Sequence, residues 1–270
     1  MDFNYLKYLA TTGTPFIHPH EKRATDLLIE ELKLAPAQKV LELGCGTAGT
    51  MVRIGGRFHV TLYGLDQLDE MLKTAEKRIK LTALSKKAFL LKGKLAALPF
   101  QTNSFDRIYA ESVLGILDSQ TVETALDEAR RVLKDQGILL LNDAIWKPTT
   151  TAEQAQTVNN ACIRDFGLPL ASELAWNHDD WCALFQQHGF QVTSALIEDA
   201  LKTADPPLPF KNNWRDTISE RFTKFQKLIH YANPTTRRLR QQYAHLLHQH
   251  HEDGRYIESR LFTLTKTQPS

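Results

Sequence analysis

The stretch 39-KVLELGCGTAG-49 is a short apolar strand that breaks into a glycine turn, Gly44-x-Gly46-x-x-Gly49, with a carboxylate, Glu42, two residues before the first glycine. A strand, a glycine turn and a helix in this order form a ligand site in doubly wound α/β sheets. The glycines let backbone approach the ligand, and the helix start presents free N–H groups. The spacing is that of dinucleotide loops, but a diphosphate would meet a like charge in Glu42. A ligand bearing an ammonium group would be attracted by it.

Outward from this turn, residues 39–141 alternate between strand and helix patterns. KVLEL (39–43), HVTLYGLD (59–66), AFLLKG (88–93), FDRIYA (105–110) and GILLLND (137–143) are short β-branched or leucine-rich runs. Such near-continuous apolar runs suit strands buried on both faces of a parallel sheet. Between the last two, 119-SQTVETALDEARRVLKDQG-137 carries Val122, Leu126, Ala129 and Leu133 at helical steps, with Ser119 placed to cap its start and Gly137 its end. Beyond 145, residues 151–166 and 178–188 read as helices, the second stopping at Gly189. QVTSALIED (191–199) and YIESRLFTLTK (256–266) alternate like strands. The interval between those two is too long for a hairpin loop and, broken by 205-DPPLPF-210 and Asn233-Pro234, reads as a helical insertion.

Composition excludes several classes. With 42% apolar residues and a formal net charge of +2, this is an ordinary globular chain, not a nucleic-acid binder by charge. No apolar run reaches the ~18 residues of a membrane span. MDFNYLKYLATTG lacks the pattern of a secretory leader, and Cys45, Cys162 and Cys182 lack paired spacing, so a cytoplasmic location without disulfide or zinc framework is expected.

Two further features specify the ligand. Asp66 ends the second strand, 22 residues after Gly44, where a carboxylate can accept both hydroxyls of a ribose. The segment 93-GKLAALPFQTNSFDRIYAESVL-114 brings a loop to the same sheet edge. A ribose and an ammonium together describe a nucleoside joined to an amino acid.

These stretches, VLELGCGTAGT, YGLDQLDEMLKTAEKR, ALPFQTNSFD and LDEARRVLKDQGILLLND, resemble the class I S-adenosylmethionine-dependent methyltransferases, and among them the small-molecule group that includes ubiquinone- and menaquinone-biosynthesis enzymes. The likeness covers about 37–145 in order, and HDDWCALFQQHGFQV resembles the approach to that group's sixth strand. It implies a Rossmann-like, doubly wound, seven-stranded, mostly parallel sheet with helical cover insertions. The expected organisation is a cover segment at 1–36, a cofactor-binding core at 37–145, a helical insertion at 146–189, and the last two strands in 190–270 around a second insertion at about 203–253.

By the resemblance, Gly44 and Gly46 pass beneath the methionine part of S-adenosylmethionine and Glu42 engages its ammonium. Asp66 holds the ribose, with Gln67 and Met71 beside the adenosine. Leu95 and Ala96 flank adenine, and Ala110 and Glu111 lie beside the methionine and sulfur. Two departures stand out: Lys94 occupies a position where the family usually has an acid, and Gly115-Ile116 replaces a frequent histidine pair. They motivate the alternative of a non-catalytic sensor or partner subunit. If the acceptor needs a base, His18, His20 and Glu111 are the candidates. The aromatic set from Trp146 to Phe225 reads mainly as cover packing. The run His245, His248, His250 and His251 reads as a solvated helix face, because no accompanying acid-and-histidine pattern marks a metal site, and none is expected. Residues 201–270 hold 12 Lys/Arg against 6 Asp/Glu, a modest basic bias. The expected partner is a small, partly apolar methyl acceptor rather than nucleic acid, whose base-methylating signature is missing; the oligomeric state stays open.

Overall fold

A computed structural model describes residues 4–17, 20–203 and 210–267. Its centre is a seven-stranded sheet of β1 (Lys39–Leu43), β2 (Thr61–Asp66), β3 (Ala88–Lys92), β4 (Phe105–Glu111), β5 (Leu133–Trp146), β6 (Phe190–Leu196) and β7 (Ile257–Lys266). The spatial order is β3-β2-β1-β4-β5-β7-β6. The first five strands are parallel, and β7 runs antiparallel between β5 and β6. Strand order reverses between β1 and β4, which in such sheets opens the ligand crevice at the carboxyl edge.

The strands are apolar on both faces because both are covered. On one face Leu41, Ile108, Leu139 and Phe262 pack with α5 (Ser119–Val132) and α7 (His178–Gln187). On the other, Val40, Leu62, Tyr109 and Leu140 pack with α2 (Glu21–Glu31), α3 (Gly49–Gly55), α4 (Asp69–Leu81) and α8 (Ile197–Thr203). Among the described residues the remaining helices are α1 (Asn4–Thr12), α6 (Ala152–Phe166), α9 (Trp214–Ala232) and α10 (Pro234–Gln249), with short 3-10 stretches at Leu114–Ile116 and His251–Tyr256. Thr151, Asn177 and Asn213 cap α6, α7 and α9 as reciprocal capping boxes.

Three local readings are corrected. Asp118, not Ser119, caps α5, accepting from Thr121 N at 2.8 Å. Gly137 does not end that helix. The chain passes from Val132 directly into β5 and bulges between the pairs Phe105↔Leu133 and Arg107↔Ile138. A Cβ at Gly137 would lie 2.5 Å from Leu133 Cδ1 and 2.8 Å from the backbone oxygen of Lys134, so glycine is required where the bulge folds back on its own strand. The strand expected at 191–199 runs from Phe190 to Leu196, where pairing with β7 ends, and α8 begins at Ile197.

Candidate functional site

The turn after β1 is fixed by backbone hydrogen bonds. Gly44 N and Cys45 N both donate to Leu65 O, at 2.8 and 3.0 Å. Gly44 and Gly46 have φ of 69° and 48°, the left-handed region that glycine enters without strain. The three glycines serve different ends. A Cβ at Gly44 would strike Val113 at 2.5 Å, and one at Gly49 would strike Pro15 O at 2.5 Å, so both allow close packing of protein on protein. At Gly46 the nearest heavy atom would be Met71 Sδ, at 3.9 Å. Of the three, Gly46 is the one whose Cβ position is open.

Asp66, at the end of β2, is buried and reaches across this space. Its Oδ2 accepts from Gly46 N at 2.8 Å and its Oδ1 from Leu68 N at 2.9 Å. A carboxylate has about four lone-pair sites, so acceptor capacity remains for a ribose hydroxyl. Burial raises its pKa, a shift only partly offset by the backbone donors from Leu68, Gly46 and Gln67.

Glu42 lies opposite Tyr109 in the β1–β4 register, and the Tyr109 hydroxyl donates to its Oε2 at 2.8 Å. Burial and the nearby charges of Glu111 and Asp66 push the Glu42 pKa well above the usual range, against the Tyr109 hydrogen bond. Glu111 is tied to the cover, accepting from Thr25 Oγ1 on α2 at 2.8 Å and Thr50 Oγ1 on α3 at 2.6 Å. Three carboxylates thus surround one glycine turn, each repelling the next. An ammonium and a ribose diol relieve that repulsion and use the spare lone pairs, whereas a diphosphate would add to it. The donor set and the opening at Gly46 fit S-adenosylmethionine.

The other sequence-derived residues divide. Ala110 is buried in β4 beside Leu43, and Leu95 is buried in the core under Leu65. Ala96 is half-buried; Gln67 and Lys94 are exposed. Met71 is buried against Leu9 and Ala10 of α1 as well as facing Gly46, so it belongs to core and turn alike. His20 sits at the start of α2 with Nε2 3.9 Å from Glu198 Oε1 on α8. His18 lies outside the described residues. Gly115, in place of a histidine, fits where a Cβ would press on Ala144 O at 3.2 Å and Asp143 Oδ1 at 3.3 Å.

Several functional groups were invisible in the sequence. Tyr109 and Glu42 are 67 residues apart and meet only because β1 and β4 are neighbours. Asp143, buried near the end of β5, accepts from Gly115 N at 3.3 Å and Leu114 N at 3.4 Å, holding the turn after β4. Arg78 is fully buried: its Nε donates to Thr47 O in the glycine loop at 2.8 Å, a terminal nitrogen donates to Gly13 O, and another donates to Ser219 Oγ on α9 at 2.6 Å. One guanidinium therefore joins loop, N-terminal segment and insertion, and burial lowers its pKa to about 9.

The histidine run also needs correction, because acids do accompany it in space. His250 Nε2 is 2.9 Å from Asp165 Oδ2 and its Nδ1 is 2.6 Å from Asp253 Oδ2, with Cys162 Sγ at 3.7 Å. Burial alone would lower the His250 pKa, but the two carboxylate hydrogen bonds outweigh it and the net shift is upward. Two acids and a thiol thus face one imidazole, and the acids favour its protonated form.

Comparison with known proteins identifies the family. A family model described as a methyltransferase domain matches residues 40–137. An uncharacterized methyltransferase of Bacillus subtilis, YodH, is 30% identical over 194 residues, 71% of this chain and 76% of YodH. A sterol 24-C-methyltransferase of Pneumocystis carinii is 32% identical over 202 residues, 74% of this chain and 51% of that protein. Among solved structures, phosphoethanolamine N-methyltransferase 2 of Haemonchus contortus in complex with S-adenosyl-L-methionine superposes with a TM-score of 0.70. It is 16% identical and covers 99% of this chain and 58% of that one, a likeness of fold. The chain belongs to the class I S-adenosylmethionine-dependent methyltransferases. It is a methyl-transferring enzyme whose cofactor is S-adenosylmethionine.

Proposed function

We propose that the protein methylates an O, N or C atom of a small, partly apolar metabolite, with residues 37–145 as the cofactor-binding core and the flanking helices as an acceptor cover. The carrying observation is the pair of buried carboxylates at the glycine turn, Glu42 two residues before Gly44 and Asp66 bonded to Gly46 N. In this reading Glu42 holds the ammonium and Asp66 the ribose hydroxyls, while Gly44 and Gly46 provide the floor. Met71 and Gln67 lie beside the adenosine, Leu95 and Ala96 flank adenine, and Ala110 and Glu111 border the methionine chain. The sulfonium supplies an already electrophilic methyl group, so the chain's main task is to hold the acceptor atom in line and keep water out. A base is needed only for an acceptor protonated at neutral pH. Glu111, tied to two hydroxyls, serves better as a strut than as that base. An apolar acceptor agrees with relatives named for sterols and for O-methylkolavelool, and three unpaired cysteines suit a reducing compartment.

Calorimetry tests the cofactor assignment: S-adenosylhomocysteine should bind in about the micromolar range and NAD should not. Tighter binding of NAD would overturn it. Asp66→Ala should lose about 1.5–3 kcal/mol for each charge-assisted hydrogen bond removed; an unchanged dissociation constant would mean that the ribose is held elsewhere. Transfer of a labelled methyl group to a panel of acceptors then separates catalysis from mere binding.

A further inference from the structure

Helix α9 is buried on one side and carries exposed apolar residues on the other. Asp216, Ser219, Phe222 and Thr223 are buried toward the domain, where Ser219 and Thr223 meet Arg78. On the opposite side Phe225, Leu228 and Ile229, spaced i, i+3 and i+4, are 59%, 64% and 48% exposed. A polar outer face is the rule for a helix packed on a soluble domain, so an outward apolar stripe marks an interaction surface. It continues into a groove of about 580 Å³ between α9 and α4, where Leu81, Ile218, Phe222 and Phe225 supply apolar contact and Lys77, Lys80 and Arg221 stand around them.

The charge around the stripe has one sign. From residue 221 to residue 251 the chain contains no Asp or Glu, but it carries Arg221, Lys224, Lys227, Arg237, Arg238 and Arg240. All but Lys227 are exposed, and Lys227 is half-buried. Glu220, the last acid before this tract, is engaged by Lys22 at 3.0 Å.

We propose that α9, with the α4 groove and the start of α10, docks the enzyme on an anionic phospholipid bilayer. Phe225, Leu228 and Ile229 enter the headgroup–acyl boundary, and the surrounding lysines and arginines lie at the level of the phosphates. Leu228 and Ile229 do not stack on bases and Phe225 is the one aromatic ring of the stripe, which disfavours single-stranded nucleic acid. Two such faces brought together in a symmetric dimer would oppose like charges across the apolar contact. An anionic lipid surface matches both the apolar and the basic parts. This inference does not depend on the identity of the methyl acceptor.

The test is co-sedimentation of the full chain with phosphatidylcholine vesicles, alone or mixed with phosphatidylglycerol, at about 0.1 M salt. The mixed vesicles should bind at least about tenfold more strongly, and raising the salt should weaken the binding. Leu228→Ser with Ile229→Ser should lower the partition about tenfold or more. Arg237→Gln with Arg238→Gln should lower it about fivefold per charge. Since these side chains are exposed, the unfolding temperature should not move in either variant. Equal binding to both vesicle types, no binding, or variants that bind like the native chain would overturn the proposal. So would a dimer that the stripe substitutions dissociate, or binding of single-stranded RNA in preference to vesicles.

Discussion

In the proposed site, Glu42 sets ligand-free stability against cofactor affinity. Its folded pKa is raised, so the folded state holds a proton more readily than the unfolded chain does. Its ionisation therefore destabilises the ligand-free fold above the unfolded carboxylate value. That loss is relieved as pH falls through the raised folded pKa toward the unfolded one. Glu42→Gln should accordingly raise the unfolding free energy without cofactor by about 1–3 kcal/mol near neutral pH, keeping an acceptor for Tyr109. Calorimetric melts should show the gap between variant and native protein closing toward pH 5. The same substitution should weaken S-adenosylhomocysteine binding, and the native affinity should fall on acidification as Glu42 takes up a proton. A variant less stable than the native chain at neutral pH would show Glu42 to be compensated already. Lys94 is a second residue-scale test. Its side chain is exposed, and Ala97 N donates to its carbonyl at 3.2 Å in a tight turn. With the ammonium in solvent, Lys94→Asp should leave cofactor affinity unchanged, as the proposed reading of adenine by backbone near Leu95 and Ala96 requires. A tenfold tighter titration would show instead that the adenine amino group lacks an acceptor.

Among the elements, the junction of α6 with the end of α10 depends on a proton. The pKa of His250 is raised, so its contribution is fully present below the unfolded histidine value near 6.5 and disappears as pH rises through the folded value. Asp165, held to about 2 by the Arg164 and His250 hydrogen bonds, stays ionised across that window. His250→Ala should cost roughly 1 kcal/mol at pH 6, allowing for partial exposure of the pair, and less at pH 9. Denaturant melts at the two pH values check this, and an equal cost at both would remove the imidazolium. This junction was not legible in the sequence, since Asp165 and His250 are 85 positions apart and helical spacing reports only neighbours on one helix. The strands of the parallel core were legible because burial on both faces writes them as unbroken apolar runs. The α5–β5 transition was not: Gly137 serves a bulge, whose need for glycine arises from Leu133 folding back and not from a helix end.

For the whole molecule, cofactor binding and folding are linked. A ligand that binds only the folded chain at about 100 times its dissociation constant adds about 2.7 kcal/mol. For a domain of this size S-adenosylhomocysteine should raise the melting temperature by on the order of 5 °C. Differential scanning calorimetry should show the shift for this ligand and none for NAD; the reverse pattern would refute the assigned site. At this scale the turn with Glu42 and Asp66 was readable because both lie within one continuous strand–turn–helix–strand segment. The partners Tyr109, Arg78 and Asp143 were not, because strand order and the insertion's docking bring them in from distant parts of the chain.

The antiparallel strand β7 lies between β5 and β6, although β6 precedes it in the chain and Leu196 is separated from Ile257 by 60 residues. During synthesis at roughly 5–20 residues per second, β6 would leave the ribosome several seconds before the strand that joins it to the sheet. Over that interval β5 is an open edge, and Phe190 and Val192 have no neighbouring strand to lie beside. The parallel core can close around its cofactor first, while the nascent sheet waits on its last strand and is a natural client for a chaperone until β7 slides into the gap.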